Sequence, residues 1–577
     1  MTMAPLHMLA AAAGIARLWT DADGAEQQVS DESLRAILSA LGLPAEGPAE
    51  IMESWRRLME RAVRTPRMLT VDCHMPFPLP DGFGEAILLN EAGAVVERDA
   101  QRIGRKGIAK PGYYRLAAGD AACTIAVAPQ RCRQLKGRCW GVAVQIPSLR
   151  GSGDFGDFAD LARAVTLLGK AGANAVALSP VHALSIDDPG RFAPYSPSSR
   201  IALNALLGEA ETDESTALDP LIDWTQAGPA KLEALRRTFD GGSDFPAFLQ
   251  HNAQTGLDRV QQAAREAGMA VGLIADLAVG VDPGGMEARN DPDLFLNALS
   301  IGAPPDPLGP LGQDWGLTSY SPFGLAESGF APFIAMLRAN IPTGGGIRID
   351  HAFGLRRLWV VPKGRSAREG AYLAYPFDDL LRIVKLEAWR ADAIVIAEDL
   401  GTRPPGFIDA LEEAGIYGMA VLPFSRDEDG AFLPAQDYRD TAVAMSATHD
   451  TATLAGWWTG RDLEWNRKLD RGGQTAKERA EDRKRLWTAI GGALPQPADD
   501  DPAPVVDRAI AFLTRTPCPL LIVPMEDLAA LVEQPNLPGT VNEHPNWRRR
   551  LPAPMEELLK REDVARRLAL LNAERGA

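Results

Sequence analysis

The chain has 577 residues, enough for two or more domains, and its 46% hydrophobic and 24% charged content is ordinary globular usage. Against 60 lysines and arginines stand 76 aspartates and glutamates, a formal net charge of −16. That balance excludes a nucleic-acid backbone or an anionic membrane as the partner and fits a neutral or small substrate.

The N-terminus carries an apolar stretch from Met8 to Ala16 with no lysine or arginine before it, and an amphipathic region follows directly. This reads as a helix of the mature protein rather than a signal peptide. No run approaches the roughly 20 apolar residues of a membrane span, so the expected compartment is the cytoplasm. LHMLAAAAGIARLW, VSDESLRAILSALG and EIMESWRRLMERAV each place apolar residues at helical spacing, with Ser30 or Asp31 as N-cap of the second. Residues 1–66 are therefore expected to be helical. Between 67 and 135 the pattern changes to short apolar or alternating runs: MLTVDCHMPFPL, EAILLNEAGAVVER, GYYRLAA and CTIAVAP. Gly, Pro and Asp separate them, which predicts a small antiparallel, sandwich-like β domain.

From 136 to 577 short, almost wholly apolar strands alternate with helical stretches. The strands are expected at 140–148, 173–180, 270–279, 345–355, 392–400, 417–424, 441–450 and 519–527. Continuous apolar runs followed by helices are the mark of parallel strands buried on both faces. Eight of them close a (β/α)8 TIM-type barrel, an α/β fold. The long stretches 181–269 and 280–344 are insertions, which in a barrel usually build the substrate cleft. LPQPADDDPAPVVD (494–507) is the most linker-like segment. The five cysteines form no C-x-x-C pair, and Cys132 and Cys139 are not at a convincing zinc spacing. They are expected as reduced, mostly buried thiols.

Function in such a barrel sits at the C-terminal ends of the strands. There the third strand ends with Asp276, the fourth with Arg348-Ile349-Asp350-His351, the fifth with Glu398-Asp399 and the seventh with Thr448-His449-Asp450. One acid after a strand is commonly a helix cap or a structural ion pair. Several converging on one mouth cost electrostatic energy unless a cation or a reaction needs them. Metal binding and glycosidic cleavage both use such clusters. These acids lack calcium-loop spacing, and Arg348 points the same way as Asp350 from one strand. An arginine there would repel a divalent cation and hold Asp350 ionised, so glycosidic chemistry is favoured, without metal or cofactor.

Several ordered segments sharpen this reading. RIDHAFGL, IAEDLGTRPPGF, ATHDTATLAGWW, FAPYSPSSRIALN and GQDWGL resemble the signature segments of the amylomaltases. These are the 4-α-glucanotransferases of glycoside hydrolase family 77. WGVAVQIPSLRGSGDFGDFADL is similar to the family's first strand and loop, and NLPGTVNEHPNW to its C-terminal segment. The resemblance covers about 140–577, and the residues before it are like the N-terminal extension of the longer bacterial members. It implies a retaining double displacement, with Asp350 as nucleophile, Glu398 as general acid/base and Asp450 as the third, transition-state-stabilising carboxylate. It further implies that Asp276, Arg348, His351 and His449 hold the sugar at the cleaved bond, and that Tyr195, Gln313 and Trp315 border the donor and acceptor sites. Maltooligosaccharides and α-1,4-glucans are the implied substrates, with glucose as an acceptor. Thr451-Ala452 and Leu317-Thr318 depart from the Asn-Asp and Asn-Pro usual in shorter members, which bears on chain-length preference. The alternatives are a hydrolase on the same fold, a non-catalytic glucan-binding protein that kept the barrel, and a metal-dependent barrel enzyme.

Overall fold

The computed structural model describes residues 4–21, 24–151, 153–211, 219–239, 241–242, 244–305 and 311–576. Ser152, within the quoted first-strand segment, lies outside them. Among the described residues eight parallel strands form one sheet: β1 (Cys139–Val144), β2 (Ala175–Leu178), β3 (Gly272–Leu277), β4 (Gly346–Ile349), β5 (Ile394–Ala397), β6 (Gly418–Val421), β7 (Ala442–Met445) and β8 (Leu520–Pro524). Each overlaps an expected apolar run, and only β1 begins outside its run, one residue early at Cys139. The order β5-β4-β3-β2-β1-β8-β7-β6 brings β8 beside β1. The remaining seam, between β5 and β6, is joined by the parallel bridge Ile396–Tyr417. There Ala397 N donates to Tyr417 O at 2.7 Å and Tyr417 N to Val395 O at 2.9 Å. The barrel is therefore closed, and Ile274, Ile394, Met419, Val443 and Ile522 pack in its interior.

The seam has a side-chain staple. Asp399, fully buried just past β5, accepts from Met419 N at 2.7 Å and pairs with Arg439 at 2.8 Å. Residue 418 must be glycine for this approach, since a Cβ there would stand 2.8 Å from the Asp399 carboxylate.

The long stretches after β2 and β3 hold the insertions and, in Phe245–Glu266, a barrel helix that packs along Phe158–Lys170. Between β2 and β3 come a small antiparallel pair (His182–Ala183 with Ser199–Leu203) and the helices Trp224–Thr238 and Phe245–Glu266. Residues after β3 and after β4 share an antiparallel sheet, ordered Gln313–Leu317, Leu299–Ala303, Arg357–Pro362 and Ala371–Ala374. Both departures from the shorter family members have structural work. Leu317 pairs with Ile301, and Thr318 exchanges two 2.9 Å backbone bonds with Val281, anchoring the sheet to the barrel rim. Thr451 Oγ1 accepts from Thr448 N at 2.9 Å and closes the turn that carries His449 and Asp450.

The N-terminal residues differ from expectation in two ways. The first helix runs only over Pro5–Ala12, and Leu18–Thr20 pairs with Glu26–Gln28 as a hairpin. Gly14, at φ +81°, ends the helix, which frees Ile15 to bridge Leu373 of the insertion sheet. Helices Asp31–Ala40, capped by Ser30, and Pro48–Ala62 follow as expected. Leu34, Ile37 and Leu38 join one hydrophobic core with Leu358, Leu373 and Ile347. The β region is a single five-stranded sheet rather than a sandwich, in the order Met68–Asp72, Ala121–Ala128, Gly112–Ala118, Ile87–Asn90, Val95–Glu97. Its pairs are antiparallel as expected except one: Met68–Asp72 runs parallel to Ala121–Ala128. The chain returns through residues 73–86 before the next strand, so the first strand can lie along the last in the same direction. The linker-like 494–507 segment is no boundary: its last residues begin the helix Ala503–Leu513, and Trp487 and Trp458 donate to Leu494 O and Ala498 O. Among the described residues no helix is long and apolar enough to cross a membrane.

Candidate active site

Parallel strands that end together deliver their next residues to one mouth. Asp276 is the fifth residue of β3 and pairs in register with Arg348 of β4. Arg348 Nη1 meets both Asp276 oxygens at 2.7 and 2.8 Å and lies 3.1 Å from Asp350 Oδ1. One guanidinium thus holds two carboxylates. Asp350 follows β4 immediately, its N–H donating to Leu277 O at 3.0 Å. His351 then takes a left-handed backbone, φ +44°, which turns the chain sharply. The turn aims His351 N–H at Glu398 Oε2, 2.9 Å away. Leu400 N–H donates to Glu398 Oε1 at 2.8 Å, so two backbone groups orient this carboxyl at the end of β5.

A second group closes around Asp276. Tyr195 Oη donates to Asp276 Oδ2 at 2.5 Å, and the same oxygen stands 3.3 Å from His449 Nδ1. The Tyr195 and His449 rings stack with centroids 4.7 Å apart. His449 Nε2 lies 3.3 Å from Asp450 Oδ2. Two residues not singled out in the sequence complete the set. Asn536 Nδ2 donates to Asp450 Oδ1 at 2.6 Å, and Trp547 packs against both Tyr195 and His449, at 5.6 and 5.3 Å. Both lie in the loop after β8, within the quoted NLPGTVNEHPNW segment, whose residues carry no periodic pattern of their own.

Gln313 and Trp315 form a separate patch on the insertion sheet. Trp315 Nε1 donates to Gln313 Oε1 at 3.1 Å, and the Trp315 ring meets His351 edge-on at 5.1 Å. This patch joins the carboxylates only through His351. The ten residues expected at the site therefore gather at one mouth, eight in a bonded network and two on its rim.

The environments push the carboxyls apart. Burial raises Glu398 to about 7, with the Asp350 charge adding to the rise and Arg348 and the two backbone N–H groups opposing it. Burial also raises Asp350, to about 6, against the pull of Arg348 and with the push of Asp276. Arg348 thus offsets the cost of burying Asp350 only in part, less than the sequence reading supposed. At Asp450, enclosure in the mouth raises the carboxyl, but His449, Asn536 and Arg348 outweigh it and bring it down to about 2. Its side chain remains 45% exposed at the open rim. His351 falls to about 4 through burial and the nearby Arg357, so it is neutral at neutral pH. A raised carboxyl held beside an ionised one is the electrostatic arrangement that separates a proton donor from a nucleophile.

The family model of the 4-alpha-glucanotransferases of glycoside hydrolase family 77 matches residues 144–243 and 221–556. The 4-alpha-glucanotransferase of Haemophilus influenzae is 32% identical over 539 aligned residues, covering 74% of this chain and 77% of that protein. That of Mycobacterium bovis is 30% identical, covering 96% of this chain and 95% of its own. Among solved structures, an amylomaltase from Corynebacterium glutamicum superimposes with a TM-score of 0.86 at 26% identity, covering 98% of this chain and 99% of that one.

Proposed function

This chain belongs to the 4-alpha-glucanotransferases of glycoside hydrolase family 77, and on that premise we propose that Asp350, Glu398 and Asp450 divide the work of its retaining transfer. The enzyme acts on α-glucans. In the first step an Asp350 oxygen attacks the anomeric carbon while Glu398 gives its proton to the glycosidic oxygen. The carbon–oxygen bond breaks, and the leaving chain departs with a new 4-hydroxyl. In the second step ionised Glu398 takes the proton from an acceptor's 4-hydroxyl. That oxygen attacks the same carbon and expels Asp350. Two inversions give net retention.

The observation that carries this assignment is the split among the three carboxyls. Glu398 near 7 can both give and take a proton at neutral pH, and Asp350 near 6 is mostly ionised there. Asp450 near 2 stays charged and counters the positive charge that develops on the sugar ring. Arg348 holds Asp276 and Asp350 in fixed relation, and Tyr195 offers a flat face to the sugar beside His449. Gln313 and Trp315 border the acceptor from across the mouth, where glucose is the smallest acceptor. We place the enzyme in the cytoplasm, a reading its five free, buried thiols support. The N-terminal helices and sheet serve to brace the barrel.

Incubation with maltotriose, followed by separation of products by size, tests the proposal. Glucose together with maltopentaose and longer chains, lost in Asp350→Asn, is expected. Glucose and maltose alone would mean that water, not a sugar, attacks the intermediate. An undiminished ladder from the Asn variant would remove Asp350 as nucleophile.

A further inference from the structure

Consecutive residues of a strand point to opposite faces, yet Arg356 and Arg357 line one groove. Arg356 follows the short helical turn Ala352–Leu355 with a backbone at φ −108° and ψ −40°, and only Arg357 belongs to the strand Arg357–Pro362. The change of backbone between them breaks the alternation. Each guanidinium lies over a ring: Arg356 over Phe377 at 5.3 Å and Arg357 over Tyr372 at 3.8 Å. Among the described residues neither has an ion-pair partner, and Arg357 Nη2 donates only to a carbonyl, Thr402 O at 3.4 Å. Two buried arginines elsewhere are neutralised, Arg200 by Glu287 at 3.3 Å and Arg479 by Asp462 at 2.6 Å. Burial lowers Arg357 below the ordinary guanidinium range, and the Arg356 charge adds to the fall while Tyr372 opposes it. Two like charges side by side cost energy unless an anion answers them.

The groove has a volume of about 510 Å³ and lies where three parts of the chain meet. Gly14 and Ala16 come from the N-terminal region, Tyr372 and Ala374 from the insertion sheet, and Pro404 and Pro405 from the loop after β5. The junction is fixed by backbone bonds: Ala16 N donates to Tyr372 O and Ala374 N to Gly14 O, both at 2.8 Å. A ligand there would find its walls already in place and pay little for ordering them. None of the three catalytic carboxyls borders this groove.

A guanidinium fork matches phosphate oxygens two by two, and stacking on a ring holds the fork in place. The volume is on the scale of small-molecule clefts, far more than a bare phosphate fills. Asp378 also borders the groove, and its carboxyl makes no hydrogen bond among the described residues, so it offers an acceptor to hydroxyls. Its neighbour Asp379 already accepts from Thr70 Oγ1. A ligand charged throughout would be repelled by Asp378, whereas one with a phosphate at one end and hydroxyls at the other would not.

We propose that this groove binds the phosphate monoester of a small polyhydroxylated molecule, with its phosphate held by Arg356 and Arg357. The site is separate from the catalytic mouth, and it gives the N-terminal region a task besides bracing the barrel.

Calorimetric titration of the full chain with glucose 1-phosphate tests this, at about pH 7.5, where a phosphate monoester is close to doubly charged. Inorganic phosphate and glucose are the comparison ligands, and Tm is recorded for each protein. One ester per chain is expected, bound roughly tenfold more tightly than inorganic phosphate. Arg356→Gln, which keeps the stem over Phe377, should raise the Kd by roughly tenfold or more, the loss of one charge-assisted contact. Arg356→Glu should abolish binding. Both variants should transfer from maltotriose at the wild-type rate. The ester should raise the Tm of the wild type and leave that of Arg356→Glu where it was. An unchanged Kd in Arg356→Gln would place the ligand elsewhere and overturn the inference. Inorganic phosphate bound as tightly as the ester would overturn the assignment to an ester, and neither heat nor a Tm shift from either ligand would overturn the site itself.

Discussion

Asp350, Glu398 and Asp450 are three acids in one mouth, and what distinguishes them is what each is allowed to touch. Glu398 receives two backbone N–H bonds yet stays raised, because burial outweighs them. Asp350 must be ionised and Glu398 protonated for the first step. The pH profile of kcat/KM for maltotriose should therefore be a narrow bell, its acid limb near 6 and its alkaline limb near 7. Glu398→Gln should abolish the alkaline limb and lower kcat by roughly 10²–10⁴-fold. A broad plateau from 5 to 9 would contradict the assignment. The raised acids also bear on stability. Both have folded values above their unfolded ones, so the native state binds more protons through this range and loses stability as pH rises through it. Asp450 runs the other way: its contribution is present above the ordinary carboxylate range and is lost as pH falls toward 2. These acids were legible in the sequence because each lies directly or within a few residues after an apolar strand. Asn536 and Trp547 were not. Asn536 meets Asp450 across 86 positions, and no local pattern marks it or Trp547 as facing the mouth.

At the scale of elements, the eight strands could be placed from sequence because each is buried on both faces and so reads as an unbroken apolar run. The seam between β5 and β6 could not. It depends on a single bridge and on Asp399, whose carboxylate takes the place of a ladder acceptor for Met419 N–H. Asp399→Ala leaves that donor without its partner inside a closed barrel, while Arg439, 31% exposed, keeps Glu412 at 3.7 Å. It should cost about 1–3 kcal/mol, the usual penalty for an unsatisfied buried group, and appear as a lowered midpoint in urea unfolding. A change below about 1 kcal/mol would mean that the seam holds without the staple. The early elements were misread for a related reason. Helical spacing continues past Ala12, but Gly14 and the waiting edge strand at Leu373 win over local propensity. The parallel strand Met68–Asp72 depends on a tertiary pairing that alternation alone does not show.

Across the whole molecule, the N-terminal quarter is built onto the catalytic barrel. The first helices share a core with the β4 insertion, whose sheet also carries Trp315. The five-stranded sheet docks on the barrel helix Phe377–Arg390, where Asp72 meets Arg382 at 2.8 Å and Lys385 at 2.6 Å, and Tyr113 donates to Glu387 at 2.5 Å. Burial raises the Asp72 carboxyl, but Lys385 and Arg382 outweigh it, so the net shift is downward. That contribution is present above the ordinary carboxylate range and fades as pH falls below it. Asp72→Ala should lower Tm by a few degrees at pH 7, by less at pH 3, and leave the KM for maltotriose unchanged. A raised KM with unchanged Tm would make this sheet part of the glucan site.

The central claim is that Asp350 becomes covalently joined to the sugar, and trapping that intermediate tests it most directly. In Glu398→Gln, an α-maltosyl fluoride donor can still form the intermediate, because fluoride leaves without a proton, while its breakdown lacks a base. Peptide mass analysis after digestion should find a maltosyl adduct on the peptide that contains Arg348-Ile349-Asp350-His351, and none when Asp350→Asn is added. An adduct on another peptide, or no adduct while fluoride is still released in a single burst, would contradict it.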